Sequence, residues 1–335
     1  MSRNILIFFI VVVSAASLEA SEPTTEQVRE AMERGLAIVQ TAADNYPSYR
    51  DCFSCHHQTL PVLAMVSARR AGAEIDEDLL EAINEFTADS FRARIENLHK
   101  GEGIGGRSMT VGYGLWTFEE AARPADDLTE AMVTFLLKNQ DDSGRWRSHT
   151  GRPPLEGSHV TCTTLAAYNI NLYASDGQRV EVDEAVEKAR NWLIHSPPTK
   201  LTQEDRNARL WGLDLLGADP EPIEAAREAV LEAQAEDGGW AQEDGMNSDA
   251  YATGQALTLL SRTGLERDHP ALQRGIRFLI DTQCEDGSWK VETRAKPVQV
   301  FFDNGDPHGK SQFLSISATS WAVAALAGAL GPQEP

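Results

Sequence analysis

Two cysteines and two histidines fall within six residues, in Cys52-Phe53-Ser54-Cys55-His56-His57. Cys-x-x-Cys-His is the spacing that c-type haem requires: two thiols form thioethers to the vinyl groups, and the next histidine ligates the iron. On that reading Cys52, Cys55 and His56 hold haem c, and a sixth iron ligand comes from Met65, His159 or His57. The same residue types also suit zinc or another transition metal, which accepts thiolate sulfur and imidazole nitrogen. A Cys52–Cys55 disulfide beside two ordinary histidines is the third reading. The residues alone leave the three open.

All three depend on compartment. Arg3 precedes an unbroken apolar run, Ile5 to Val13, which is followed by the small residues Ser14 to Ser17 and by Ala20. That is the layout of a secretory signal over residues 1–20, and it predicts an exported chain, periplasmic or secreted, with one domain over 21–335. Leu18 is untypical three residues before the cut, so cleavage after Ala16 stays open. No later segment is expected to be long and apolar enough to span a membrane. The net charge of -21 argues against nucleic acid and anionic membrane surfaces as partners. Four cysteines (Cys52, Cys55, Cys162, Cys284) are too few for a disulfide scaffold.

The elements that must position these residues form a repeat. "KNQDDSGRW", "EAQAEDGGW" and "DTQCEDGSW" end at Trp146, Trp240 and Trp289, each with Gln six residues before the Trp and Gly two before it. An amphipathic helical pattern precedes each, and a small-residue apolar one follows. A period near fifty residues marks a repeat array. With weaker copies included, outer helices are predicted near 25–40, 77–98, 126–140, 181–195, 220–235 and 268–283. Inner helices are predicted near 57–72, 108–122, 158–175, 204–217, 248–264 and 315–330. Six such hairpins can close into an all-α ring, an α/α toroid around a central cavity. The Gly-Trp segments themselves read as structural ties between helix ends.

The Gln-x(3)-Gly-x-Trp segments resemble the repeats of squalene–hopene cyclases and the wider terpene cyclase and prenyltransferase toroids, over roughly Asp126 to Leu330. The Cys-x-x-Cys-His-His stretch is not part of that pattern, but looks like one found in exported bacterial proteins that carry these repeats. The resemblance implies chemistry on an apolar, isoprenoid-like molecule. It also implies an Asp-x-Asp-Asp-Thr-Ala acid motif, and here the match is incomplete. Asp249 and Thr253 fit "DAYATG", but Tyr251 and Ala252 stand where the other carboxylates belong. Protonation-initiated cyclisation is therefore not expected.

Aligning Gly72 on Gly264 places His57 where Asp249 stands, at the start of an inner helix. His159 and Cys162 start the third inner helix. If all inner helices open on one end, then His57, His159, Cys162 and Asp249 join Cys52, Cys55 and His56 at one mouth and offer a metal site. The insertion Arg294–Ser315 falls at the same end, where Phe301, Phe302, His308, Lys310 and Phe313 could cover a ligand. Cys284 receives no role. The functional expectation is redox or binding work on an apolar small molecule, aided by haem c or a metal, with an unidentified redox partner. A terpenoid-processing enzyme using another acid and a non-catalytic interaction scaffold are the alternatives, so catalysis itself is left open.

Overall fold

The computed structural model describes residues 22–195, 197–296 and 300–332; the expected signal sequence lies outside them. The described chain contains thirteen α-helices and no strand beyond two isolated bridges. The first hairpin is α1 (Thr25–Asn45) and α2 (Thr59–Arg70). Next come α3 (Glu77–Arg92), the short α4 (Ile95–Lys100) and α5 (Arg107–Glu120). The third and fourth pairs are α6 (Asp127–Lys138) with α7 (His159–Tyr173), and α8 (Arg179–His195) with α9 (Gln203–Leu215). The last are α10 (Pro220–Leu231) with α11 (Ala250–Arg262), and α12 (Pro270–Thr282) with α13 (Gln312–Leu330).

Helices α2, α5, α7, α9, α11 and α13 each pack on the next, and α13 packs back on α2 to close a ring. The others lie outside. The toroid expected from the repeats is the fold, and each predicted hairpin is present. Its parts follow from composition. Outer α12 buries Ala271, Leu272, Gly275, Ile276 and Leu279, one stripe of an amphipathic helix. Inner α11 buries every residue from Ala250 to Leu260, and its Gly254 lets the α13 backbone approach; a Cβ there would sit 2.7 Å from Ala322 N.

The Gly-Trp segments act as ties. Trp146, Trp240 and Trp289 donate their indole N–H to the carbonyls of Leu136, Val230 and Leu279, at 2.7, 2.7 and 2.8 Å. Gln140, Gln234 and Gln283 each reach the next outer helix, donating to the carbonyls of Ala185, Ala271 and Ala31, all at 2.8 Å. The last of these joins the carboxyl-terminal unit to α1. The turn glycines sit at φ +93°, +87° and +95° (Gly144, Gly238, Gly287), where other residues are strained.

Two expectations need correction. The axis is not an open cavity. Trp116 of α5 meets Trp211 of α9 and Trp321 of α13 across the ring, with ring centroids 4.9 and 6.0 Å apart. Glu120 of α5 pairs with Arg262 of α11, also across the ring, at 2.7 Å. Large indoles and an ion pair between buried Glu120 and half-buried Arg262 fill the space that small inner-helix residues alone would leave open. Secondly, one later segment, Gly309–Leu330, is long and apolar enough to cross a membrane. Its most apolar window is 78% buried in the fold, so that apolarity builds the core.

Candidate functional site

The first connection, between α1 and α2, carries the cysteines. Tyr46, in a short 3-10 turn after α1, is fully buried and donates its hydroxyl to Cys52 O at 2.9 Å. Ser54 N donates to Gln58 Oε1 at 2.7 Å, which folds the segment into the turn that enters α2. His57 therefore precedes α2, as aligned, and stacks on Tyr46 with centroids 4.4 Å apart. Its other neighbour comes from the insertion: Asn304 Nδ2 donates to His57 Nε2 at 2.8 Å. His57 Nδ1 is buried without a partner. Burial, then the adjacent His56, hold the His57 imidazole well below its ordinary pKa, so it is neutral.

Two cavities open beside this turn. The larger, about 590 Å³, is walled by Cys52, Phe53, Cys55 and His56, with Phe91, Met109 and Tyr113 opposite. The smaller, about 340 Å³, lies under the insertion, walled by Leu155, Phe301, Phe313 and Leu314, with Lys296 and Lys310 at its edge. His56, Arg152 and Glu156 line both. Arg152 and Glu156 form a short ion pair in the connection between α6 and α7. The Cys55 thiol donates to Glu156 Oε1 at 3.6 Å. Burial and the Glu156 charge push that thiol well up, so it keeps its proton. Burial, with Arg152 alongside, lowers His56 to about 3, which leaves a neutral ring with a lone pair. Ser54 Oγ lies 2.9 Å from His56 Nδ1 and 3.1 Å from Nε2, and only one of these can be a well-formed bond.

Cys52, Cys55 and His56 thus share one cavity, and both thiols are free. The other four candidates are placed differently. His159 opens α7, where its Nδ1 accepts from Ser148 N at 3.0 Å. Cys162 is fully buried in α7, its thiol pushed up by burial. Asp249 caps α11, accepting from Ala252 N at 3.0 Å and from Gln242 Nε2 at 2.8 Å. His57, His159, Cys162 and Asp249 share the helix-start end but form no common ligand shell: among the described residues only Cys284, Asp286 and His308 bring three such atoms within 4.8 Å of one another. Met65, one of the three residues offered as a sixth iron ligand, is fully buried inside α2; the methionine that lines the larger cavity is Met109, which is not among them. Within the insertion, Phe302 is a buried anchor against Tyr46, Tyr49 and Phe313, while Phe301 is exposed and lines the smaller cavity.

Sequence reasoning missed Glu204. It is buried at the start of α9 and accepts from Thr161 Oγ1 (2.8 Å), Tyr251 Oη (3.0 Å) and Gln255 Nε2 (2.9 Å). Burial raises its pKa to about 7. Tyr251, which stands where the acid motif expects a carboxylate, instead donates to one.

Residues 208–334 match the Squalene-hopene cyclase C-terminal domain family. The chain is an α/α toroid with squalene–hopene cyclase-type repeats. A squalene–hopene cyclase of Bradyrhizobium diazoefficiens is 32% identical over 194 residues, which is 57% of this chain and 23% of that protein. One from Zymomonas mobilis is 39% identical over 71 residues, 21% of this chain and 10% of the relative. The chain thus spans about a quarter or less of the length of these relatives. The type II terpene cyclase MstE from Scytonema, in complex with merosterolic acid A, superposes with a TM-score of 0.59 at 14% identity, covering 91% of this chain and 98% of MstE. A glycosidase in solved form reaches 0.62 at 13% identity, covering 92% and 98%. Cyclases and glycosidases fit equally well, so these likenesses describe the fold. The family match begins at residue 208 and leaves Cys52 to His57 outside it.

Proposed function

We propose that this toroid is exported, carries a c-type haem on Cys52, Cys55 and His56 in the larger mouth cavity, and does redox work on an apolar small molecule held in the adjoining pocket. The observation that carries the reading is that both thiols and the following imidazole line one cavity, while His56 also lines the second. The donor set fits the group: two free thiols at the attachment spacing, a neutral imidazole, and apolar walls from Phe53, Phe91 and Met109. When bound, haem supplies one-electron transfer. The chain's own residues do the rest. His56 offers a ring nitrogen that burial keeps unprotonated. The Arg152–Glu156 pair forms the polar partition between the cavities. Leu155, Phe313 and Leu314 give the smaller pocket an apolar wall that favours an apolar guest.

Maturation of the protein in a host with export and haem c assembly tests this. Haem staining should persist after denaturation, because only a covalent link survives loss of the fold. Cys52→Ser and Cys55→Ser should lower or abolish retention, and His56→Ala should alter the iron's absorption spectrum. A matured wild type without haem, with Cys52 and Cys55 both reduced or joined to each other, overturns the reading and favours a scaffold. A terpenoid-processing enzyme remains compatible with the pocket but gains less support: Asp249 is engaged as a helix cap, and Glu204 lines neither mouth cavity.

A further inference from the structure

The last Gly-Trp turn differs from its two siblings in a way that no tie between helices requires. Each turn holds a carboxylate that accepts a backbone N–H two residues on, but at different places: Asp141, one after its Gln, accepts from Ser143 N, whereas Asp237 and Asp286, three after theirs, accept from Gly239 N and Ser288 N, each at 2.9 Å. The residue after the Gln is Asp141 in the first turn, Ala235 in the second and Cys284 in the third. Alanine at that place shows that the turn forms without a polar side chain. In the second turn Asp237 also receives the hydroxyl of Ser248, at 2.9 Å. In the third, the insertion brings His308 to the turn, with its Nε2 2.7 Å from Ser288 Oγ, which in turn lies 2.5 Å from Asp286 Oδ1.

The third turn therefore gains a thiol and an imidazole around a carboxylate that the second turn already possesses at the same place, as Asp237. We infer that Cys284, Asp286 and His308 form a metal site for a borderline divalent ion such as zinc, and that the ion clips the inserted loop to the last repeat. One sulfur, one nitrogen and one oxygen atom lie within 4.8 Å of one another, a set that zinc takes with water in the fourth position. Binding ionises Cys284, its proton passing to solvent, and the ion replaces that proton as the partner of the sulfur. A second carboxylate supports a cation here. Asp306, two residues before His308, is 3% exposed; Oδ1 accepts from His308 N at 3.0 Å, while Oδ2 is buried without a partner. The site is separate from Cys52–His57 and stands whether or not haem binds there. Its consequence for the pocket is mechanical, because the segment between its ligands carries Phe301.

Cobalt(II) titration of the full chain in a Cys52→Ser/Cys55→Ser background tests the clip and removes the competing thiols. A thiolate-to-cobalt charge-transfer absorption should saturate at one equivalent and be displaced by zinc. Cys284→Ala, which copies the second turn, should abolish the absorption, and His308→Ala should weaken binding by at least about tenfold. Circular dichroism of both variants should match the parent, since neither side chain ties helices together. Absence of the absorption in the parent, or its persistence in Cys284→Ala, overturns the site.

Discussion

The connection from α10 to α11 and the connection from α1 to α2 both lead from an outer to an inner helix, yet they handle buried polar groups in opposite ways. In the first, Gln234 Nε2, the Trp240 indole N–H and Asp237 all find partners, and the Gln and Trp bonds recur in two sister turns. In the second, neither cysteine is in a disulfide, His57 Nδ1 is buried without a partner, and His56 faces two cavities. Buried polar groups are normally satisfied, and exceptions mark sites with another task. The repeated turn secures the fold, whereas the unrepeated one leaves a buried ring nitrogen without a partner and turns His56 toward two cavities.

That contrast can be broken most sharply at the indoles. Trp289→Ala should cost about 3–5 kcal/mol in urea-induced unfolding, through lost packing and the lost bond to Leu279; a cost below about 1 kcal/mol would mean the ties are dispensable. Glu204 gives the next largest effect. Its folded pKa lies near 7, above the ordinary 4.5, so the folded state favours the protonated carboxyl. The stability it contributes is full below about 4.5 and is lost as pH rises through 7, by up to about 3 kcal/mol. Glu204→Gln should flatten stability between pH 5 and pH 8, as measured by the urea midpoint. Gly238→Ala should cost about 1–3 kcal/mol, because φ there is +87° and the new Cβ would lie 2.8 Å from Arg274 O. Gln283→Ala, which cuts the bond to Ala31, should cost about 1 kcal/mol. Cys52→Ser should change stability by less than about 0.5 kcal/mol while it changes haem retention, which separates the two kinds of connection.

The hairpins were readable because apolar period and turn residues repeat, so each copy checked the others. α12 and α11 are predicted within a few residues of their observed bounds for that reason. The mouth was readable only in part. His57 before α2 follows from alignment, but its partner Asn304 lies 247 positions away in a segment without a repeat. Cys284 looked idle because His308 reaches it from the same insertion. Glu204 near a helix start reads as ordinary dipole compensation; its burial depends on α7 and α11, which no local pattern encodes. The filled axis was also hidden: small inner-helix residues imply close packing between neighbours, but not which indoles meet across the ring.

Ring closure also imposes an order of events in time. α1 rests mainly on α13, and Gln283 joins the last Gly-Trp turn to Ala31, so α1 lacks its main packing partner until α13 has been made. Non-local contacts of this kind form late. Phe302 and Asn304, which press on Tyr46 and His57, arrive with the same final segment. Until α13 is in place, Tyr46 and His57 lack these two neighbours, so the turn that carries Cys52 and Cys55 takes its final shape only when the ring closes.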